Sequence, residues 1–286
     1  MTPESPAAGL DALLPADMAK RAEEIGAAKA SMDILRLFVL AVLAGAFIAF
    51  GAVFATVALA GAEAAPWGLA RVVAGVVFSV GLILVVVGGA ELFTGNNLIV
   101  MAWAGGRVTS LALAVNWVVV YAGNFVGAVG VAVLVYVGGS HEMGGGAFGR
   151  TALDIAVAKL ALSPARAIAL GVLCNVLVCL AVWLSMSART TTDRILAVVP
   201  PISAFVAAGF EHSVANMYFV PYAILVAALD PGFVAAHGLM PESEAVGWAA
   251  FTWRNLLPVT LGNLLGGTLA VGTVYWFVYL RPPARA

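Results

Sequence analysis

Charge is what this 286-residue chain has least of. Asp, Glu, Lys and Arg make up 10% of it, against about 25% in ordinary soluble proteins. With 63% hydrophobic residues, a water-soluble domain would lack the polar surface to cover itself, so a soluble enzyme is excluded. A net charge of −1 excludes nucleic-acid binding driven by bulk charge. The two cysteines, Cys174 and Cys179, lie in one apolar run, which leaves no disulfide framework. They read as buried small hydrophobes. No cluster of about four metal ligands is present, and no cofactor is expected. Paired Asn-Pro-Ala loops, which a water or polyol channel would need, are missing. A redox-enzyme anchor would need paired intramembrane His for haem, but His141 and His237 read as loop residues, leaving His212 alone inside.

What the chain has is long apolar runs. Stretches at 37–62, 72–106, 108–141, 167–188, 195–229 and 255–280 hold almost no charge, and about 20 apolar residues span a bilayer. The expected fold is therefore all-α and integral to the membrane, with six transmembrane helices. Residues 1–35 are predicted to be a cytoplasmic segment, an amphipathic helix on the membrane surface with Leu10, Leu13, Leu14, Met18 and Ile25 as its apolar stripe. Residues 36–281 form one channel domain, and 282–286 a short cytoplasmic tail. Cytoplasmic termini place nine of the 14 Lys and Arg inside, as the positive-inside rule requires. Trp67, Trp103, Trp117, Trp183 and Trp276 read mostly as interfacial anchors.

The halves echo each other. Spans two and five are each 35 residues, too long for one straight crossing, and each carries one central Glu. Glu91 and Asn96 are matched 120 residues later by Glu211 and Asn216. Spans three and six share Gly123-Asn124-Phe-Val-Gly127 and Gly262-Asn263-Leu-Leu-Gly266. Three spans per half make the repeat inverted, about 36–138 and 166–281, with helices two and five broken around a midplane site. Gly88, Gly89, Gly95 and Gly209 supply the turns.

Few groups at membrane depth carry chemistry. Glu91 and Glu211 read first as pins, each accepting backbone N–H groups from its broken helix. His212, beside Glu211 in a break, has a reference pKa of about 6.5 and is the one intramembrane group suited to proton exchange near neutral pH. Thr94 offers an uncharged hydroxyl in the other break. Phe78, Leu82, Leu92, Phe93, Val178 and Phe205 cluster around these loops. Periodicity alone makes them packing or lipid-facing residues.

Val87-Gly88-Gly89-Ala90-Glu91-Leu92-Phe93-Thr94-Gly95, Gly171-Val-Leu-Cys174-Asn175-Val-Leu-Val178-Cys179-Leu-Ala181, Ala208-Gly209-Phe210-Glu211-His212-Ser213-Val214-Ala215-Asn216-Met217 and Asn255-Leu-Leu-Pro258-Val-Thr-Leu-Gly262-Asn263 resemble the signatures of the formate–nitrite transporters. The resemblance covers roughly residues 20–281. It implies an aquaporin-like fold, a homopentamer in a bacterial-type inner membrane, and one pore per subunit for formate, nitrite or hydrosulfide together with protons. It implies Thr94 and His212 at the pore centre, supported by Glu91, Asn96, Asn175, Glu211 and Asn216. Phe78, Leu92 and Phe205 would form the outer slit, Leu82, Phe93 and Val178 the inner one, and Lys159 would stand in the outer vestibule. The run after Met217 to Pro221, and Asn255 to Pro258, are more similar to formate-type than nitrite-type members. Two apolar slits would reject a bare anion, whereas a weak acid that takes a proton could cross.

Overall fold

The computed structural model describes residues 12–282. Those residues are helical, with no strand among them. Five helices are long and apolar enough to cross a membrane. They are α2 (Ile34–Leu59), α3 (Trp67–Gly88), α6 (Ser110–Val137), α8 (Pro164–Ser187) and a final helix, Trp248–Tyr279. The predicted span at 195–229 is split into two shorter helices, α9 (Thr191–Ala207) and α10 (Ser213–Leu229). The predicted second span is likewise interrupted: after α3 the chain runs extended, then resumes as α4 (Phe93–Asn96), a 3₁₀ turn and α5 (Val100–Ala104).

Caps set the helix starts. Asp33 accepts from the Arg36 N–H to open α2, and Ser163 from the Arg166 N–H, with Pro164 behind it, to open α8. Both place a side-chain acceptor on amides that have no partner within the helix. Thr190 and Asp193 form a reciprocal capping box at α9. The helix ends at the two breaks are set by Gly89 (φ 81°) and Gly209 (φ 75°), a left-handed conformation that side chains with a Cβ resist. Helices α2 and α6 approach so closely that a Cβ at Gly127 would overlap the Val42 carbonyl, small-residue packing of the kind membrane helices use.

Two further helices correct the expected layout. α1 (Pro15–Ala30) exists, and the face expected to meet lipid packs on protein. Met18, Ala19, Ala22 and Gly26 are buried, and Met18 packs with Leu98, Met101, Cys179 and Trp183 in a second apolar core. Leu13 and Ile25 flank that core, Leu14 is 70% exposed, and Leu10 lies outside the described residues. Lys29 tethers the helix end, donating to Asn96 and pairing with Glu91. α7 (Ala147–Leu160) stands ahead of α8 as α1 stands ahead of α2. Each repeat therefore begins with a short docked helix, before the boundaries expected at 36 and 166. Trp183 is likewise no interfacial anchor: it is 3% exposed and stacked on Tyr275 at 4.1 Å. Two short helices, α11 (Pro231–Ala236) and α12 (Met240–Ala245), join α10 to the final helix, α13 (Trp248–Tyr279). α13 contains two π-helical stretches, Phe251–Leu256 and Leu265–Thr273. Of the predicted tail, residues 283–286 lie outside the described part.

Candidate permeation path

A break in a membrane helix frees backbone groups that lipid cannot satisfy, and here two asparagines partner them. Asn124 on α6 donates to the carbonyls of Ala41 and Glu91 and accepts from the Phe93 N–H. Asn263 on α13 donates to the carbonyls of Gly171 and Glu211 and accepts from the Ser213 N–H. Two more extended amides close onto α2 and α8, Glu91 N–H to Leu40 O and Glu211 N–H to Leu170 O.

The carboxylates complete a second duplicated set. Glu211 accepts from Lys159 Nζ at 2.9 Å, Asn216 Nδ2 at 2.7 Å and Asn255 Nδ2 at 3.2 Å. Asn255 also donates to the Lys159 carbonyl. In the other half Glu91 pairs with Lys29 Nζ at 3.0 Å and accepts from Asn96 Nδ2 at 2.8 Å, while Asn116 bridges Asn96 and the Lys29 carbonyl. Both carboxylates are thus pinned, although chiefly by side chains, whereas the expectation was backbone N–H groups. Lys159 is no bare charge in a loop. It sits near the end of α7, its side chain 15% exposed and bonded to Glu211.

The duplication fails at one place. His212 occupies the position that Leu92 holds in the first half, and Thr94 the position that Val214 holds in the second. His212 Nε2 and Thr94 Oγ1 meet at 2.9 Å, both residues fully buried or nearly so. His212 is also the N-cap of α10: its Nδ1 accepts from the Ala215 N–H at 3.1 Å. A nitrogen that accepts carries no proton, so the neutral ring holds its hydrogen on Nε2 and donates it to Thr94. A second proton would have to go on Nδ1 and would break the cap. Thr94 is tied from behind, since Cys179 Sγ donates to its carbonyl at 3.4 Å. Asn175 donates to Asn97 Oδ1 and to the Asn263 carbonyl, so it braces the broken segments and is not hydrogen-bonded to His212.

Two cavities flank this centre. On the α7 side, about 410 Å³ is lined by Phe78, Phe205, Lys159, Glu211 and His212 among others. On the α1 side, about 370 Å³ is lined by Leu82, Leu92, Lys29 and Glu91 among others. Phe78 meets Phe205 edge-on at 5.6 Å, and Phe205 lies over the His212 ring at 5.8 Å. Phe93 abuts Tyr121 at 4.8 Å. Phe78, Leu82, Leu92, Phe93, Val178 and Phe205 are each at most 3% exposed, so none faces lipid. Leu92 was expected beside Phe78 and Phe205, but it lines the opposite cavity with Leu82. The reason is the repeat: as the counterpart of His212, it faces the opposite way. Asn116 was not anticipated. Its signal was available, since Asn116 and Asn124 stand eight residues apart, as do Asn255 and Asn263, so the same spacing recurs in both halves.

Broken helices closing on a buried polar pair, with a cavity on each side, define a multi-pass membrane channel or transporter. A model of the formate/nitrite transporter family matches residues 16–277. The formate channel FocA of Escherichia coli (strain K12) is 45% identical over 273 residues, covering 95% of this chain and 96% of that protein. A probable formate transporter of Methanothermobacter thermautotrophicus is 38% identical, covering 93% and 97%. A solved structure described as a pentameric formate channel with formate bound superposes with a TM-score of 0.82 at 41% identity, covering 87% of this chain and 98% of that one. This chain belongs to the formate/nitrite transporter family.

Proposed function

We propose that the protein is a channel for small monovalent weak-acid anions, formate before nitrite or hydrosulfide, and that the anion crosses the centre as its neutral acid. Its relatives named as formate channels support the substrate class. The observation that carries the mechanism is the character of the centre. Between the two cavities stand apolar walls and one neutral hydrogen-bonded pair, Thr94 and His212. An unpaired charge there is heavily penalised, while a neutral acid loses only hydrogen bonds to water, which the pair replaces. Desolvation in the cavity favours the protonated form of the anion, and vestibule water supplies the proton. His212 then acts as a fixed Nε2–H donor that hands its hydrogen bond from Thr94 to the acid, and the cap on Nδ1 keeps the ring neutral.

Each Lys–Glu–Asn–Asn cluster holds one break open at the correct depth. Phe78 and Phe205 narrow the α7-side approach, and Leu82, Leu92, Phe93 and Val178 form the opposite wall. The working assembly is a homopentamer in the inner or plasma membrane, as the pentameric relative suggests. The α1 side and both termini face the cytoplasm. The test is flux into proteoliposomes holding the purified protein, with formate, nitrite and hydrosulfide in competition. Formate should be carried fastest and should be displaced by the other two. Nitrite flux that formate does not inhibit would instead favour a nitrite-specific member.

A further inference from the structure

We propose that Arg71, and not the paired Lys159, receives the anion at the α7-side mouth; the inference rests on the anion passage proposed above. Four charged side chains line that cavity: Arg71, Asp154, Lys159 and Glu211. The last two cancel. With Nζ and Oε1 2.9 Å apart, an approaching anion meets a dipole, and both oxygens of the carboxylate are already engaged.

Arg71 differs in its partners. Nε donates to the Ala207 carbonyl at 3.2 Å and Nη2 to the Val206 carbonyl at 2.9 Å. Among the described residues no carboxylate lies within ion-pair distance of it. Two of its five N–H donors are engaged, so the rest of a planar fork that matches a carboxylate is free. Its position also removes an obstacle. The carbonyl end of α9 points into this mouth and carries partial negative charge, and the guanidinium covers it. Gly209 leaves it room, because a Cβ there would come to 3.0 Å of Nη2. The other mouth is built alike. Lys29 is paired with Glu91, while Arg21 and Arg194 line the cavity and Arg21 donates to the Met186 carbonyl near the end of α8. Each mouth thus combines a neutral Lys–Glu pair with a guanidinium seated on helix-end carbonyls. Asp154 is the opposing charge at the α7-side rim.

The test measures initial formate uptake from each side separately, in cells and in inverted vesicles, at about 0.01 M and about 0.5 M salt, where screening shortens from about 30 Å to about 4 Å. Arg71→Gln should raise half-saturation for formate added on the α7 side roughly five- to tenfold at low salt. The maximal rate should hold within about twofold, the gap should narrow at high salt, and uptake from the α1 side should be unchanged. Arg71→Lys, which keeps the charge and loses the fork, should recover most of the affinity. Asp154→Asn should move half-saturation the opposite way. The inference is overturned by wild-type half-saturation in Arg71→Gln. It is equally overturned if both Arg71 variants lose rate from both sides alike, which would leave Arg71 only as a clamp on α9. Wild-type protein that passes no formate would sink the channel reading itself, a result distinct from either.

Discussion

Replacing His212 separates its two jobs, capping α10 and donating to Thr94. In His212→Ala the Ala215 N–H loses its acceptor, a cap worth about 0.5–2 kcal/mol. Thr94 Oγ1, fully buried with His212 as its side-chain partner, is left unsatisfied at a cost of about 1–3 kcal/mol. His212→Asn keeps a cap acceptor and an amide donor, so it should recover most of both losses. At the pore centre the same donor serves the passing acid. Removing one buried hydrogen bond of about 1–3 kcal/mol from the crossing step corresponds to a roughly 5- to 150-fold fall in flux, at 1.4 kcal/mol per tenfold. The assay is formate uptake by proteoliposomes across a pH series, with thermal unfolding of the purified oligomer alongside. Alanine should fall within that range and unfold at lower temperature, while asparagine should approach wild type in both. Because a ring capped at Nδ1 gains no proton during passage, acid stimulation of uptake should persist in the asparagine variant. An asparagine variant that assembles and conducts normally but has lost its pH dependence would show that His212 itself takes up the proton.

Other perturbations follow from the same geometry. Glu211→Ala strands the Lys159 ammonium, whose side chain is 15% exposed, and should destabilise the protein by about 3–5 kcal/mol. Glu91→Ala should cost less, since Lys29 is 27% exposed and can turn to water; equal losses in thermal unfolding would contradict this. Phe205→Ala removes the ring that touches both Phe78 and His212, and Phe93→Ala opens the wall beside Tyr121. Acetate and lactate flux relative to formate should rise in each, and unchanged ratios in both would exclude these rings as the filter. Burial and then the nearby Glu242 raise the Asp154 carboxyl from its ordinary value, with Arg150 opposing the shift and Glu63 adding to it. A raised acid takes up its proton at higher pH, so as pH falls Asp154 stops repelling anions early. Half-saturation should fall with it, and Asp154→Asn should remove that part of the pH profile; an unaltered profile would exclude the contribution.

Much of the fold was legible because a membrane interior writes itself into composition. Uncharged runs marked the spans, and a lone Glu in each over-long run marked both breaks. The matched pairs Glu91–Asn96 and Glu211–Asn216 revealed the repeat. What the sequence hid was partnership across distance. Lys29 and Lys159 look like ordinary flanking charges, and only the docking of α1 and α7 brings each to a carboxylate on another segment. α1 reads as a surface helix because its apolar stripe is short. That stripe is matched by Leu98, Met101 and Trp183, which come from three separate elements and share no local pattern. The cap on His212 was hidden for a related reason. His is not a favoured N-cap residue, so nothing local signalled that Nδ1 would be occupied.

The claim that the anion crosses as its neutral acid is tested most directly by following formate and protons together. Proteoliposomes with a pH-sensitive dye inside are given an inward formate gradient, beside protein-free vesicles that report leakage through the lipid. Protein-dependent formate entry should acidify the interior by one proton per formate and should be insensitive to an imposed membrane potential. Formate entry that leaves internal pH unchanged and responds to the potential would mean that the bare anion passes.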